Sequence, residues 1–280
     1  MKNKITGATV SLLLILLIAA GCSGKTVPAP APSPERLDSD LALPAGYVVL
    51  DRQTGDVTGD GKSKDIFLVG RKPDMNSKFA DDLRIMVQAG EGQNAVTMEL
   101  PAVGGYDGKL FVGDFSGDKI SDVLVTVPTG GSGGIVEHRI VTFAGGPAII
   151  WGEGENSGIA AAGRFVDGFK GELTEETTKR KAIVDLAAKK DAYIQAGLYN
   201  AGGTLLRQQS LSVNPLGELR PLALSPDGKY GLKGQQRVTG VANADTVAYI
   251  YSLWEYENQK WTAKQIEVAS VLLSYGEGQR

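Results

Sequence analysis

Histidine and cysteine occur once each in the chain, at His138 and Cys22. A single cysteine excludes an intramolecular disulfide. With one histidine beside it, the sequence has no set of nitrogen and sulfur ligands for zinc or copper, so any bound metal would be a hard cation held by oxygens. Basic excess is also missing. The formal charge is −3, and loss of Lys2 and Lys4 with residues 1–21 would take it to −5. A mildly acidic chain argues against nucleic acid or an anionic lipid surface as partner. No Walker lysine follows a glycine loop and no G-x-G-x-x-G opens a helix, so nucleotide binding has no support. Long apolar runs are scarce: the unbroken run Leu12–Ala20 is shorter than the roughly 20 residues of a spanning helix.

That run, preceded by Lys2 and Lys4, has the make-up of a signal peptide over residues 1–21. It ends in Ile18-Ala19-Ala20-Gly21-Cys22, which resembles a bacterial lipobox. The resemblance implies cleavage before Cys22, a diacylglycerol on its sulfur, and a protein held by lipid on the outer, extracytoplasmic face of a bacterial cell membrane. Residues 22–44 are rich in Pro, Ala and Ser and read as a tether. Residues 45–280 are long enough for one domain.

Glycine is abundant there, with 37 in the whole chain, and short apolar runs alternate with turn clusters. This predicts an all-β domain. Two stretches organise it. Gly55-Asp56-Val57-Thr58-Gly59-Asp60 leads through Asp65 into an apolar run, and Gly113-Asp114-Phe115-Ser116-Gly117-Asp118 leads through Asp122 into another. Each sets oxygen-bearing side chains at alternate positions of a tight turn, a chemistry suited to Ca²⁺, which takes six to eight oxygens. Such residues are also common in plain turns. The two stretches resemble the FG-GAP or VCBS repeat of integrin-type β-propellers. The resemblance implies Asp56, Asp60, Asp65, Asp114, Asp118 and Asp122 as calcium ligands, with Thr58 and Ser116 as weaker neutral ones. Lys119 stands where that pattern has glycine.

The order strand, acidic loop, strand, strand, strand occurs twice, and Asp56 and Asp114 are 58 residues apart. Fainter echoes at Asp167 and Asp227 extend a period of 53–60 residues, which predicts a propeller-like array of about four four-stranded repeats. A β-sandwich or an open stack of hairpins is the alternative. Gly171–Thr174 and Lys181–Leu186 read as a hairpin, followed by a helical turn near Ala187–Ala192. Ala192–Tyr199 and Thr204–Gln208 read as strands, and Thr246–Tyr256 with Lys260–Val268 as a hairpin whose Trp254, Tyr256 and Trp261 pack across the pair.

Gly130-Gly131-Ser132-Gly133-Gly134 spells G-x-S-x-G, but a strand-like sequence follows it and His138 lies too near along the chain for a nucleophile elbow. Ser132 and His138 are therefore expected to be chemically idle. Asp81-Asp82, Glu153 with Glu155, and Glu175-Glu176 are carboxylate pairs of the kind glycosidases use, without the spatial distance that would identify one. The expected function is binding, adhesion or scaffolding at the cell surface, with Ca²⁺ as a structural ion and an envelope or extracellular protein or glycan as partner. The alternative is an envelope hydrolase using carboxylates and a divalent metal.

Overall fold

The computed structural model describes residues 43–74, 76–88, 95–226 and 228–271. Residues 1–21, read as a signal peptide, Cys22, the stretch read as a tether up to residue 42, and Asp227 lie outside the described residues. Among those described, no helix is long and apolar enough to cross a membrane.

The fold is all-β and antiparallel. Strands β1 (Tyr47–Gly55), β2 (Lys64–Arg71), β3 (Phe79–Val87) and β4 (Val96–Glu99) form a meander in sequence order, with the short β5 (Gly105–Tyr106) added on β3. A second meander follows: β6 (Lys109–Gly113), β7 (Asp122–Pro128), β8 (Val136–Thr142) and β9 (Ala148–Trp151). The first acidic loop joins β1 to β2 and the second joins β6 to β7. The two meanders share one core, in which Ile66, Leu68, Leu83 and Ile85 of the first meet Val123, Val125 and Val141 of the second. Strand β7 is apolar almost throughout because both its faces are covered. Leu124 turns the other way, into a third-sheet interface with Ile140, Trp151, Leu216, Leu232 and Trp261.

After the short helix α1 (Glu153–Asn156), the rest of the chain builds one seven-stranded sheet. Its strands are β10 (Ala161–Val166), β11 (Lys170–Glu175), β12 (Lys181–Asp185), β13 (Ser210–Ala223), β14 (Tyr230–Thr239), β15 (Thr246–Glu257) and β16 (Lys260–Ser270). The spatial order is β12-β11-β10-β13-β14-β15-β16. A 3₁₀ turn (Ala187–Lys189) and helix α2 (Lys190–Gln195) lie between β12 and β13. The sheet curls around its own core of Phe165, Leu173, Val184, Leu211 and Ile250 into a nearly closed barrel. Every neighbouring pair is antiparallel. Seven such strands leave the two end strands running the same way, so antiparallel pairing cannot close the ring. Accordingly β12 and β16 come within 8 Å without pairing.

The all-β class is as the sequence reads, and a sandwich describes the two meanders. In place of a third and fourth four-stranded repeat the chain forms a single larger sheet. The Asp167 echo is a β10–β11 turn whose carboxylate accepts the Leu205 amide at 2.7 Å. Ala192–Tyr199 is not a strand: its first part is helical in α2, because Tyr193 turns inward and donates its hydroxyl to Asp245 at 2.7 Å. Thr204–Gln208 contributes only an isolated bridge, Leu205 to Tyr199.

Turn geometry makes a first prediction. Lys119 sits at φ 70, the place where the first loop has Gly61 at φ 76. Gln259, in the two-residue turn between β15 and β16, has φ 61. A side chain in this left-handed region costs roughly 1–2 kcal/mol, partly offset by the extra freedom glycine gives the unfolded chain. Lys119→Gly and Gln259→Gly are each expected to raise the melting temperature by a few degrees. Thermal melts of the single and double variants check this.

Candidate functional site

In the first acidic loop Asp56 Oδ1 accepts the amides of Thr58 at 3.2 Å and Gly59 at 2.8 Å, and Oδ2 accepts that of Gly61 at 2.8 Å. The second loop repeats the pattern: Asp114 takes the amides of Gly117 at 2.5 Å and Lys119 at 2.9 Å, with the Ser116 hydroxyl 3.4 Å from Oδ1. Asp60 and Asp118 each cap the amide two residues on, that of Lys62 or Ile120. The loops touch, the Ser121 amide donating to the Asp56 carbonyl at 3.0 Å.

The loops differ in what meets their remaining oxygens. Asp60 pairs with Lys64 at 2.6 Å, and Asp65 turns out of the first loop to Arg52 at 2.6 Å. The Thr58 hydroxyl is buried without a hydrogen-bond partner. A cation entering this loop would have to displace two basic side chains. In the second loop no basic side chain among the described residues bonds to Asp114, Asp118 or Asp122, although the Lys229 side chain lies against Gly117. Among the described residues no three Asp, Glu, His or Cys side chains converge as a metal-binding group.

Asp122 is wholly buried. Its Oδ2 accepts the Phe115 and Ser116 amides at 2.9 and 2.8 Å, while Oδ1 is buried without a hydrogen-bond partner. Burial pushes its carboxyl up to about 6, against the pull of those two amides. A carboxyl with a raised folded pKa binds its proton more tightly folded than unfolded, so stability falls as pH rises from about 4 through 6. Two pKa units correspond to roughly 3 kcal/mol at neutral pH. Asp122→Asn keeps an acceptor for both amides and is expected to gain about 1–3 kcal/mol at pH 7.5 and little at pH 4. Denaturant curves at the two pH values read the difference.

Ser132 and His138 are not brought together as a catalytic pair. Ser132 lies exposed in the β7–β8 loop, where Asn243 Nδ2 donates to its Oγ at 3.3 Å and Arg237 holds its carbonyl at 2.8 Å. His138 is 1% exposed, its Nδ1 3.2 Å from the Thr126 hydroxyl and its Nε2 buried without a partner. Beside it, buried Arg139 donates to Glu137 at 2.9 Å and to the His138 carbonyl at 2.8 Å, and Asn156 ties Glu137 and Trp151 into the same network. The carboxylate pairs have local partners too. Asp81 pairs with Arg71, Asp82 accepts from Tyr47, Glu155 holds the Gly152 amide, and Glu175 accepts from Thr177 and Thr178. Trp254, Tyr256 and Trp261 pack inward, with Trp151 edge-on to Trp254 at 5.6 Å and to Trp261 at 5.1 Å.

One apolar concave feature is not suggested by the sequence. Where β12 and β16 fail to pair, a cleft of about 450 Å³ opens into the barrel-like sheet. Its walls are apolar: Ile159, Leu173, Ala182, Ile250, Ile266 and Val268. Its mouth carries Arg180, Lys181 and Lys264 with Glu175. Ile266 faces this space and is 41% exposed, whereas Val184, further along β12, is fully buried. No sequence pattern signals such a cleft, because it depends on two strands far apart in the chain lying side by side without pairing.

Residues 159–269, which span this sheet almost end to end, match the YybI C-terminal domain family. Over 209 residues the chain is 30% identical to a Bacillus subtilis (strain 168) protein described as the uncharacterized protein YybI, covering 74% of this chain and 79% of that protein. No solved structure matches. These findings overturn the FG-GAP or VCBS resemblance, since no such repeat family is found. The physical reason lies in the loops: the D-x-[ST]-x-D spacing lets Asp56 and Asp114 cap their own turn amides, so turn chemistry alone produces the pattern.

Proposed function

The chain belongs to the YybI family, and from that premise we propose that it is a lipid-anchored extracytoplasmic binding protein whose ligand enters the cleft at the open seam. The observation that carries this reading is the cleft itself: a preformed, apolar concavity with a few polar groups at its mouth, inside the part of the chain that the family match covers. Pockets of this size and make-up are the usual places for small-molecule binding. The motif ending at Cys22 supports the anchor, and the Pro-rich residues after it support a tether to the membrane. Ca²⁺ enters as a structural ion at the second acidic loop. At about 2 mM Ca²⁺ and a Kd of about 0.2 mM the ion would add roughly 1.4 kcal/mol, seen as a calcium-dependent rise in melting temperature that Asp118→Ala removes.

Two measurements test the reading. Labelled fatty acid should enter the wild type and not Cys22→Ala. Native mass spectrometry of the full chain, released from its own membranes, should show a non-covalent occupant that is absent from Ala182→Trp, where the new ring fills the cleft. Equal labelling of both forms would end the anchoring claim, and identical spectra from both forms would end the claim for the cleft.

A further inference from the structure

The ligand class can be named from the mouth and floor of the cleft. We propose that the cleft takes a single-chain amphiphile, an acyl chain carrying a carboxylate or phosphate head, with the chain in the barrel and the head at Arg180. This rests on the binding reading above and deepens it.

Three observations carry the assignment. First, the cleft is apolar within. Leu173, Ile250 and Ile266 line it, and Ile266 is left 41% exposed there. An apolar chain can be seated against them. Second, the mouth has the opposite character. Three cations, Arg180, Lys181 and Lys264, stand there beside Glu175. Lys181 pairs with Glu172 at 3.2 Å and Lys264 with Glu257 at 2.6 Å, but surface pairs of this kind are weak and readily exchanged. The Arg180 guanidinium has no partner among the described residues, and its planar fork suits a carboxylate or phosphate head.

Third, the mouth is held in place before any ligand arrives. Glu175 accepts the Thr178 hydroxyl and the amides of Thr178 at 2.5 Å and Thr177 at 2.8 Å, which together hold its carboxyl well down, to about 2. The Glu175 amide in turn donates to the Arg180 carbonyl at 2.9 Å. The loop carrying Arg180 is thereby fixed, which lowers the ordering cost of binding. The acidity of the chain as a whole opposes an anionic surface, but a single head needs only the unpaired Arg180 guanidinium at this mouth.

The test uses the full chain as Cys22→Ala, so that no lipid of its own competes. The probe is 11-(dansylamino)undecanoic acid, with palmitate, hexadecanol and a lysophosphatidate as competitors. Saturable binding at one site is expected. Ala182→Trp should abolish it, and Arg180→Glu should weaken it roughly tenfold or more. Palmitate or lysophosphatidate should displace the probe at least about tenfold better than hexadecanol, and their order distinguishes a carboxylate from a phosphate head. Arg180 is exposed, so its variant keeps the test decisive should Ala182→Trp fail to fold. Absence of saturable binding, or binding indifferent to Arg180→Glu and to the head group, overturns the proposal. A peptide occupant found by native mass spectrometry and lost in Ala182→Trp would overturn the amphiphile while leaving the binding reading intact.

Discussion

Trp261→Ala is expected to destabilise the protein by roughly 3–5 kcal/mol, a large share of the 5–15 kcal/mol available to a typical domain. Trp261 is 6% exposed, and its Nε1 donates to the Ile150 carbonyl of the second meander at 2.7 Å. Its ring lies 5.1 Å from Trp151 and 5.3 Å from Tyr256, with Phe115 at 6.5 Å. The residue therefore joins the start of β16 to the β6–β9 sheet, and its truncation opens a cavity between two sheets. Trp261→Phe keeps much of the packing and loses the hydrogen bond, so about 1–2 kcal/mol is expected from it. Urea curves of both variants check the order. A loss below about 1 kcal/mol for Trp261→Ala would show that the interface does not bind the two sheets together.

The second large effect is on pH dependence. Burial, reinforced by the Arg139 charge, pushes the His138 imidazole down to about 3. Its ordinary value is near 6.5, so the unfolded chain takes a proton below that pH while the folded chain refuses it until about 3. Stability is therefore lost as pH falls through this window. The loss is roughly 2 kcal/mol at pH 5 and approaches 5 kcal/mol at the acid end. Asp122 works in the opposite direction between pH 6 and 4, so the wild-type profile is shallower there than either group alone would make it. His138→Gln keeps a polar group for Thr126 and removes the titration. Relative to wild type, it is expected to gain about 2 kcal/mol more at pH 5 than at pH 7.5. Denaturant midpoints at both pH values measure this, and an equal difference at the two would contradict a neutral, buried His138.

Several elements were legible in the residues themselves. The acidic loops sit between the first two strands of each meander because Asp and Gly set the turns and the apolar runs after Asp65 and Asp122 set the strands. The hairpin through Glu257-Asn258-Gln259 follows from alternation on both sides. The β11–β12 hairpin and the helical turn after it also lie where composition puts them.

What escaped the sequence depends on distant contacts. Strand β13 contains Pro215, Gly217 and Pro221, which read as breakers. The chain stays in the sheet by bulging between Val213 and Leu216 and again before Glu218, and Gly217 lets the Gly134 carbonyl approach, leaving no room for a Cβ. Helix α2 depends on the Tyr193–Asp245 contact across 52 residues. The cleft depends on two strands far apart in the chain lying side by side without pairing, and the calcium pattern could not be told from turns that cap themselves. The candidate site was therefore less legible than the fold.

The most direct test of a binding protein working through its seam is a crystal structure of the full chain purified from its own membranes. The account predicts continuous density between Ala182 and Ile266, apolar toward Leu173 and ending in an anionic group beside Arg180. A cleft holding only solvent, with an occupant bound elsewhere on the protein, would contradict it.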